Sequence, residues 1–322
     1  MTAVHVWGAS GYAAAEAIRL LERHPFVELG ALESRSHAGE RLGDHFPLLR
    51  KSERRFDEPG SVVERARPGD VVITAGAHGE AKALVQALLD AGVRVVDLSS
   101  DYRLDATAAY GLTEWNRAAI AQAPVVANPG CYATAALLAL LPLAELGAPL
   151  QIVVDAKSGI TGAGRNPVAD SLFAEVSGEI RPYALDGHRH QPEMERALHV
   201  HALSAPLLFT PHVVPLSRGL LADAYVLYAK APSPDATRAA FDAAYSGSPF
   251  IRVLGGARAP SAAGVAGSND AELRIDVRSN AVRVLCAIDN LGKGAAGQAV
   301  QNLNVMLGYP EETSLGDRAI VA

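Results

Sequence analysis

The first two dozen residues restrict the fold most. Val4-His5-Val6-Trp7 is a short apolar run, Gly8-Ala9-Ser10-Gly11-Tyr12 breaks it, and Ala13 to Arg23 reads as a helix that stops before Pro25. A strand that passes through a glycine turn into a helix opens a βαβ unit, and a second strand, Val27 to Leu32, follows at once. Val71 to Ala75 and Val93 to Leu98 repeat the alternation around a helix from Gly79 to Asp90, so the expected class is α/β with an open parallel sheet. The pattern then changes. Ala271 to Val277 and Ala281 to Asp289 flank a Ser279-Asn280 turn, which predicts an antiparallel hairpin and a second α+β domain with a mixed or antiparallel sheet. The expected division is residues 1–130 and 131–292, with a C-terminal helix over 293–322 packing back on the first domain.

Composition narrows the function classes. The chain has 322 residues, 49% hydrophobic and 20% charged, enough for two domains with real cores. Its formal net charge is -6 and its basic residues are scattered, so neither nucleic acid nor a membrane surface is an expected partner. Val4 to Trp7 is too short for a leader, and Pro142 interrupts the longest apolar stretch well short of a bilayer span; a cytoplasmic protein is expected. Cys131 and Cys286 are the two cysteines, both read as reduced thiols, with Cys286 in the core-like run Val282 to Ile288.

The glycine turn lets backbone approach a phosphate, and the helix behind it offers its N-terminal amides to a dinucleotide pyrophosphate, as in a Rossmann-like domain. Gly8, Ser10, Gly11 and Tyr12 are the residues concerned, although the spacing is GxxG and not GxGxxG. Glu33-Ser34-Arg35-Ser36 ends the second strand. An acidic residue there favours the ribose 2′-hydroxyl of NAD, whereas an arginine between two hydroxyls favours the 2′-phosphate of NADP. Ser34, Arg35 and Ser36 make NADP the preferred reading, and a solvated charge pair is the alternative.

Asn128-Pro129-Gly130-Cys131 precedes the apolar stretch from Ala135 to Leu146, so Cys131 falls on the first turn of a buried helix. Free amide N–H groups and the helix dipole favour a thiolate there, which is the form that attacks carbonyl carbon. Three polar clusters follow. Lys157 to Arg165 joins small residues, hydroxyls and a cation, suited to an anionic or carbonyl-bearing substrate. Gly187 to Glu193 packs two imidazoles, a guanidinium and a carboxylate before a helix, with no cysteine pair or HExxH spacing to suggest zinc, so no metal is expected. Pro211 to Gly219 fixes His212 between two prolines, which makes it the favoured acid/base partner for Cys131.

These segments, in this order, strongly resemble the N-acetyl-γ-glutamyl-phosphate reductases, the arginine-pathway branch of the semialdehyde dehydrogenases. The resemblance runs nearly end to end through GASGY at 8–12, SRSHAG at 34–39, DLSSDYRL at 97–104, NPGCYAT at 128–134, SGITGAGR at 158–165, GHRHQPE at 187–193, PHVVPLSRG at 211–219 and NLGKGAAGQAVQNLN at 290–304. It implies NADPH-dependent reduction of an acyl phosphate through a cysteine thioester, with Cys131 as nucleophile and His212 as general acid/base. It also implies Arg103, Asn128, Ser158, Arg165, His188, Arg189 and Glu193 at the substrate, and Gly162 and Asn290 at the cofactor. A homodimer or homotetramer is the expected assembly, with a small acyl-phosphate substrate as the partner.

The chain departs from the pattern at Ala14, where a third glycine is common, and Glu33 is acidic where a 2′-phosphate would resist charge. Aspartate-semialdehyde dehydrogenase and a carrier-protein-linked reductase of lysine biosynthesis are the alternatives within the group. The lysine enzyme lacks the Pro-Gly-Cys-Tyr and Pro-His-Val-Val-Pro blocks that this chain has. A non-catalytic NADP-binding redox sensor would explain Gly8, Gly11 and Cys131 but not the downstream histidine and arginine clusters. A cysteine hydrolase would use a Cys-His pair and ignore NADPH.

Overall fold

The computed structural model describes residues 1–165 and 169–316. They form two compact units, one of 1–129 with 295–316 and one of 130–294.

The first unit is built on six parallel strands, β1 (Thr2–Trp7), β2 (Val27–Glu33), β3 (Val71–Thr74), β4 (Arg94–Asp97), β5 (Ala109–Tyr110) and β6 (Val125–Ala127), in the order β2-β1-β3-β4-β6-β5. Val4, Val6, Val71, Val72, Ile73, Val95 and Val96 are fully buried, as expected where helices cover both faces of a parallel sheet. This is the open parallel sheet that the sequence indicates. The strand order reverses after β1, and the turn from β1 into helix Tyr12–Leu21 lies at that switch.

Segment 293–322, expected as one helix, is helical over a shorter span. A π-helical turn at Gly292–Ala296 leads into helix Gly297–Leu307, and Gly308 ends it with φ 76°, a left-handed conformation that glycine adopts without a Cβ clash. Residues 317–322 lie outside the described residues. The helix packs on Tyr12–Leu21 and Thr113–Gln122 through a buried polar face. Asn302 Nδ2 donates to Gly111 O at 2.8 Å and Asn128 Oδ1 at 3.0 Å, its Oδ1 accepts from Thr113 Oγ1 at 2.7 Å, and Gln298 Nε2 also donates to Thr113 Oγ1.

The second unit holds seven strands: β7 (Gln151–Gly159), β8 (Arg181–Pro182), β9 (Leu207–Val214), β10 (Leu220–Leu227), β11 (Ile251–Val253), β12 (Ala271–Val277) and β13 (Ala281–Ile288). They run in the order β11-β12-β13-β10-β7-β9-β8, with β7–β9 and β11–β12 parallel and the other pairs antiparallel. The β12–β13 hairpin closes through Arg278 N–H to Ala281 O, around Ser279-Asn280 as expected. Burial alternates along β10 and along β7 as far as Ser158, so one face is covered and the other half-exposed. Helix Cys131–Leu140 covers the buried face; apolar all round, it buries every residue from Tyr132 to Leu140.

The Asn302 network predicts a stability test. Asn302→Ala leaves the Thr113 hydroxyl and Asn128 Oδ1 short of buried partners and should destabilise the chain by about 3 kcal/mol, read as a lowered urea midpoint. An unchanged midpoint would mean that the network contributes nothing.

Candidate active site

Cys131 is the first residue of its helix. Gly130 forms the N-cap in extended conformation, and its carbonyl accepts from Thr134 N–H at 2.8 Å, closing the first turn. The Cys131 thiol is half-buried and lines a pocket of about 190 Å³, in contrast to Cys286, which has no exposure and whose thiol burial pushes up to about 12. The pocket walls include Tyr132, Ser158, Gly162, Arg181, Tyr183, His188, Arg189 and His190.

Close packing sets the thiol's position. Gly130 N–H donates to the buried Glu193 Oε1 at 2.8 Å, which ties the turn before Cys131 to helix Gln191–Val200. A Cβ on Gly130 would lie 2.2 Å from His190 Nε2, so the missing side chain is what lets that imidazole sit against the residue before the thiol. Likewise a Cβ on Gly294 would lie 2.7 Å from Cys131 Cβ.

The aromatic wall is hydrogen-bonded. Tyr132 OH donates to His212 O at 2.8 Å, and His190 N–H donates to His188 Nδ1 at 3.1 Å, which in neutral His188 leaves the proton on Nε2 facing Tyr183 OH. Burial pushes both tyrosine hydroxyls above the usual phenol range, and they stay neutral.

His212 requires a correction. On β9 it registers with Lys157 of β7, whereas its neighbour Val213 registers with Ser158, and Ser158 and Val213 both line the pocket. Side chains alternate along a strand, so the His212 ring points to the opposite face of the sheet from Cys131. There its Nδ1 meets Asp155 Oδ1 at 3.2 Å beside Lys157. His190 lines the pocket with Cys131, and its ring sits against Gly130, the residue before the thiol; nothing in the sequence distinguishes it within its cluster.

Other expected residues divide in the same way. Ser158, Gly162, His188 and Arg189 line the pocket with the thiol. Arg103 gives its guanidinium to Asn128 O and Leu98 O, Asn128 gives its amide to Ala295 O, and Asn290 bridges Gly219 N–H and Thr161 Oγ1. Arg103 and Asn128 are thus engaged within the first unit, and within the second unit Asn290, the buried Glu193 and Arg165 are not among the residues that line the pocket. Arg181 and Tyr183 do line it and carried no sequence signal, because β8 is only two residues long.

In the first unit Gly8 has φ 78°, and a Cβ there would come 2.6 Å from Gly76 N, so only glycine allows the two loops to approach. Glu33 O accepts from Gly8 and Ala9 N–H, and Gly11 caps the helix that begins at Tyr12. Ser10 lies in the same turn. The Glu33 carboxylate is buried and accepts from Val62 N–H at 3.1 Å, so it faces the interior and is not presented to a ribose. What the loop presents is the buried Ser34 hydroxyl, which lacks a hydrogen-bond partner, the exposed Arg35, which lies over the Trp7 ring and pairs with Glu80 Oε2 at 3.0 Å, and Ser36. An orphaned hydroxyl beside a cation fits a bound phosphate.

The comparisons with known proteins agree with this arrangement. Residues 3–123 match the profile of the semialdehyde dehydrogenase NAD binding domain, and residues 131–290 that of the semialdehyde dehydrogenase dimerisation domain. The N-acetyl-gamma-glutamyl-phosphate reductase of Moorella thermoacetica is 42% identical over 335 residues, 96% of each chain. That of Geobacter metallireducens is 41% identical over 340 residues, 98% of each. In fold, the chain is similar to aspartate semialdehyde dehydrogenase II of Vibrio cholerae complexed with ASA (TM-score 0.75, 19% identity, 96% of this chain and 98% of that one). It is also similar to aspartate semialdehyde dehydrogenase with NADP from Candida albicans (TM-score 0.73, 18% identity, 95% and 98%). With a glycine turn and phosphate-ready loop in one unit, a helix-borne cysteine in the other, and close relatives along its whole length, the chain belongs to the semialdehyde dehydrogenases, in the N-acetyl-γ-glutamyl-phosphate reductase family.

Proposed function

We propose that the chain reduces N-acetyl-γ-glutamyl phosphate to the 5-semialdehyde with NADPH, releasing phosphate, in arginine biosynthesis. The observation that carries this reading is Cys131, on the first turn of its helix, in a pocket that also holds His190 and the guanidinium groups of Arg181 and Arg189. The Cys131 thiolate attacks the acyl carbon, the carbon–oxygen bond to phosphate breaks, and a thioester remains on Sγ. NADPH, held by the glycine turn, would supply the hydride that this carbon needs. The resulting thiohemiacetal loses its carbon–sulfur bond, leaving aldehyde and thiolate. First-turn N–H groups face the oxyanion that forms at each addition. His190 handles the proton on sulfur and on the developing oxygen, and Glu193 fixes the turn between them. Arg181 and Arg189 match a substrate that is anionic at both ends.

Gly8, Ser10, Gly11 and Tyr12 would hold the pyrophosphate of the dinucleotide, and Ser34, Arg35 and Ser36 its 2′-phosphate. Because the Glu33 carboxylate is turned inward, the acidic residue does not oppose NADPH. The match to a dimerisation domain supports a homodimer or homotetramer. Among the described residues no helix is long and apolar enough to cross a membrane; we place the enzyme in the cytoplasm.

Steady-state rates test the substrate. N-acetyl-γ-glutamyl phosphate should give a far higher kcat/KM than aspartyl phosphate, and equal values would return the chain to the broader group. Arg35→Ala should raise the KM for NADPH by about tenfold to a hundredfold while leaving that for NADH unchanged; a matching loss with NADH would remove Arg35 from the 2′-phosphate site. His190→Asn should lower kcat by about 10²- to 10⁴-fold, whereas His212→Asn should stay within about threefold of wild type, since its ring lies across the sheet. The reverse ranking would restore His212 as the acid/base group.

A further inference from the structure

Three side chains just past the Ser34-Arg35-Ser36 loop play no part in the reaction above. His37, Glu40 and His45 converge, and one potential ligand atom of each lies within 4.8 Å of the others. His45 Nε2 meets Glu40 Oε2 at 2.5 Å, and His37 Nδ1 lies 3.6 Å from Glu40 Oε1. The two imidazole centroids are 4.2 Å apart.

The local fold holds this cluster from several sides. Gly39, with φ 81°, turns the chain; Glu40 N–H donates to His37 O, and Gly39 and Glu40 pair through backbone with Phe56. His45 ends the single helical turn Leu42–His45. The buried Phe56 ring packs against both imidazoles, at 5.9 and 5.6 Å between centroids. The His37 and His45 side chains keep 28% and 15% of their exposure, which leaves room for an ion and its water.

Two imidazoles and a carboxylate this close can offer three ligand atoms to one cation, each imidazole through one ring nitrogen. Ligand atoms about 2.0 to 2.2 Å from a tetrahedral ion stand roughly 3.4 Å apart, near the His37–Glu40 separation. The shorter His45–Glu40 contact is a hydrogen bond whose proton an ion would replace, with an opening of about 1 Å. Nitrogen-rich donors select a borderline transition ion over magnesium or calcium.

We propose that His37, Glu40 and His45 form a three-ligand site for a divalent transition ion of the zinc class, completed by water. The ion braces the segment that leads out of the cofactor loop. All three residues belong to the first unit, whereas Cys131 belongs to the second.

Cobalt(II) titration followed by visible absorption tests the site. Wild type and Cys131→Ser should each take up one ion, with d–d bands in the visible and no thiolate-to-cobalt band in the near ultraviolet. His37→Gln and His45→Gln, checked as folded by circular dichroism, should bind at least about tenfold more weakly. Visible bands that persist in both glutamine variants, that vanish in Cys131→Ser, or that never develop in wild type would each overturn the proposal.

Discussion

The hydrogen bond from Gly130 N–H to the buried Glu193 carboxylate is the contact on which the reactive end of the second unit depends. A charged acceptor makes such a bond shorter and stronger than a neutral one, and burial raises the cost of leaving either group alone. It joins the start of one helix to the first turn of another and so fixes where the Cys131 thiol emerges. Two missing side chains complete the fit, at Gly130 under the His190 ring and at Gly294 against Cys131 Cβ. Gly294 is held in turn: its N–H donates to Asp289 O, while the Asp289 carboxylate takes Leu291 and Gly292 N–H and pairs with Arg218. That buried ion pair makes sense as a device that shapes backbone, since its carboxylate is saturated with donors.

The seven-stranded sheet assigns roles by parity. Ser158 and Val213 share the face under the Cys131 helix, whereas Asp155, Lys157 and His212 share the half-exposed face. A one-residue step along β9 therefore separates a pocket residue from one that belongs to a surface ion cluster. The first unit shows the same economy at Glu33, whose carbonyl holds the glycine turn while its carboxylate caps the segment at Val62.

Much of this was legible in the chain. The run from Val4 to Tyr12 predicted the parallel sheet because a buried strand, a glycine turn and a helix leave few other topologies, and the Ser279-Asn280 turn located its hairpin. Cys131 was readable because a helix start is a local event. What escaped was nonlocal. The face on which His212 lies depends on the register between β7 and β9, which prolines on either side of it do not report. The inward turn of Glu33 depends on an amide 29 residues away. Arg181 reaches the pocket from a two-residue edge strand, and Tyr183 from the residue just after it, with no periodicity to detect. Arg103, Asn128 and Asn290 carry the polarity of ligand-binding residues but engage partners within the fold, backbone and side chain alike.

The account stands on a covalent bond at Cys131, and the most direct measurement is to withhold the reductant. Enzyme mixed with N-acetyl-γ-glutamyl phosphate in the absence of NADPH, quenched in acid and digested, should carry one N-acetylglutamyl group per chain on the peptide containing Cys131, with one equivalent of phosphate released. An acyl group found elsewhere, or full turnover on adding NADPH with no acylated Cys131 at any time, would contradict it.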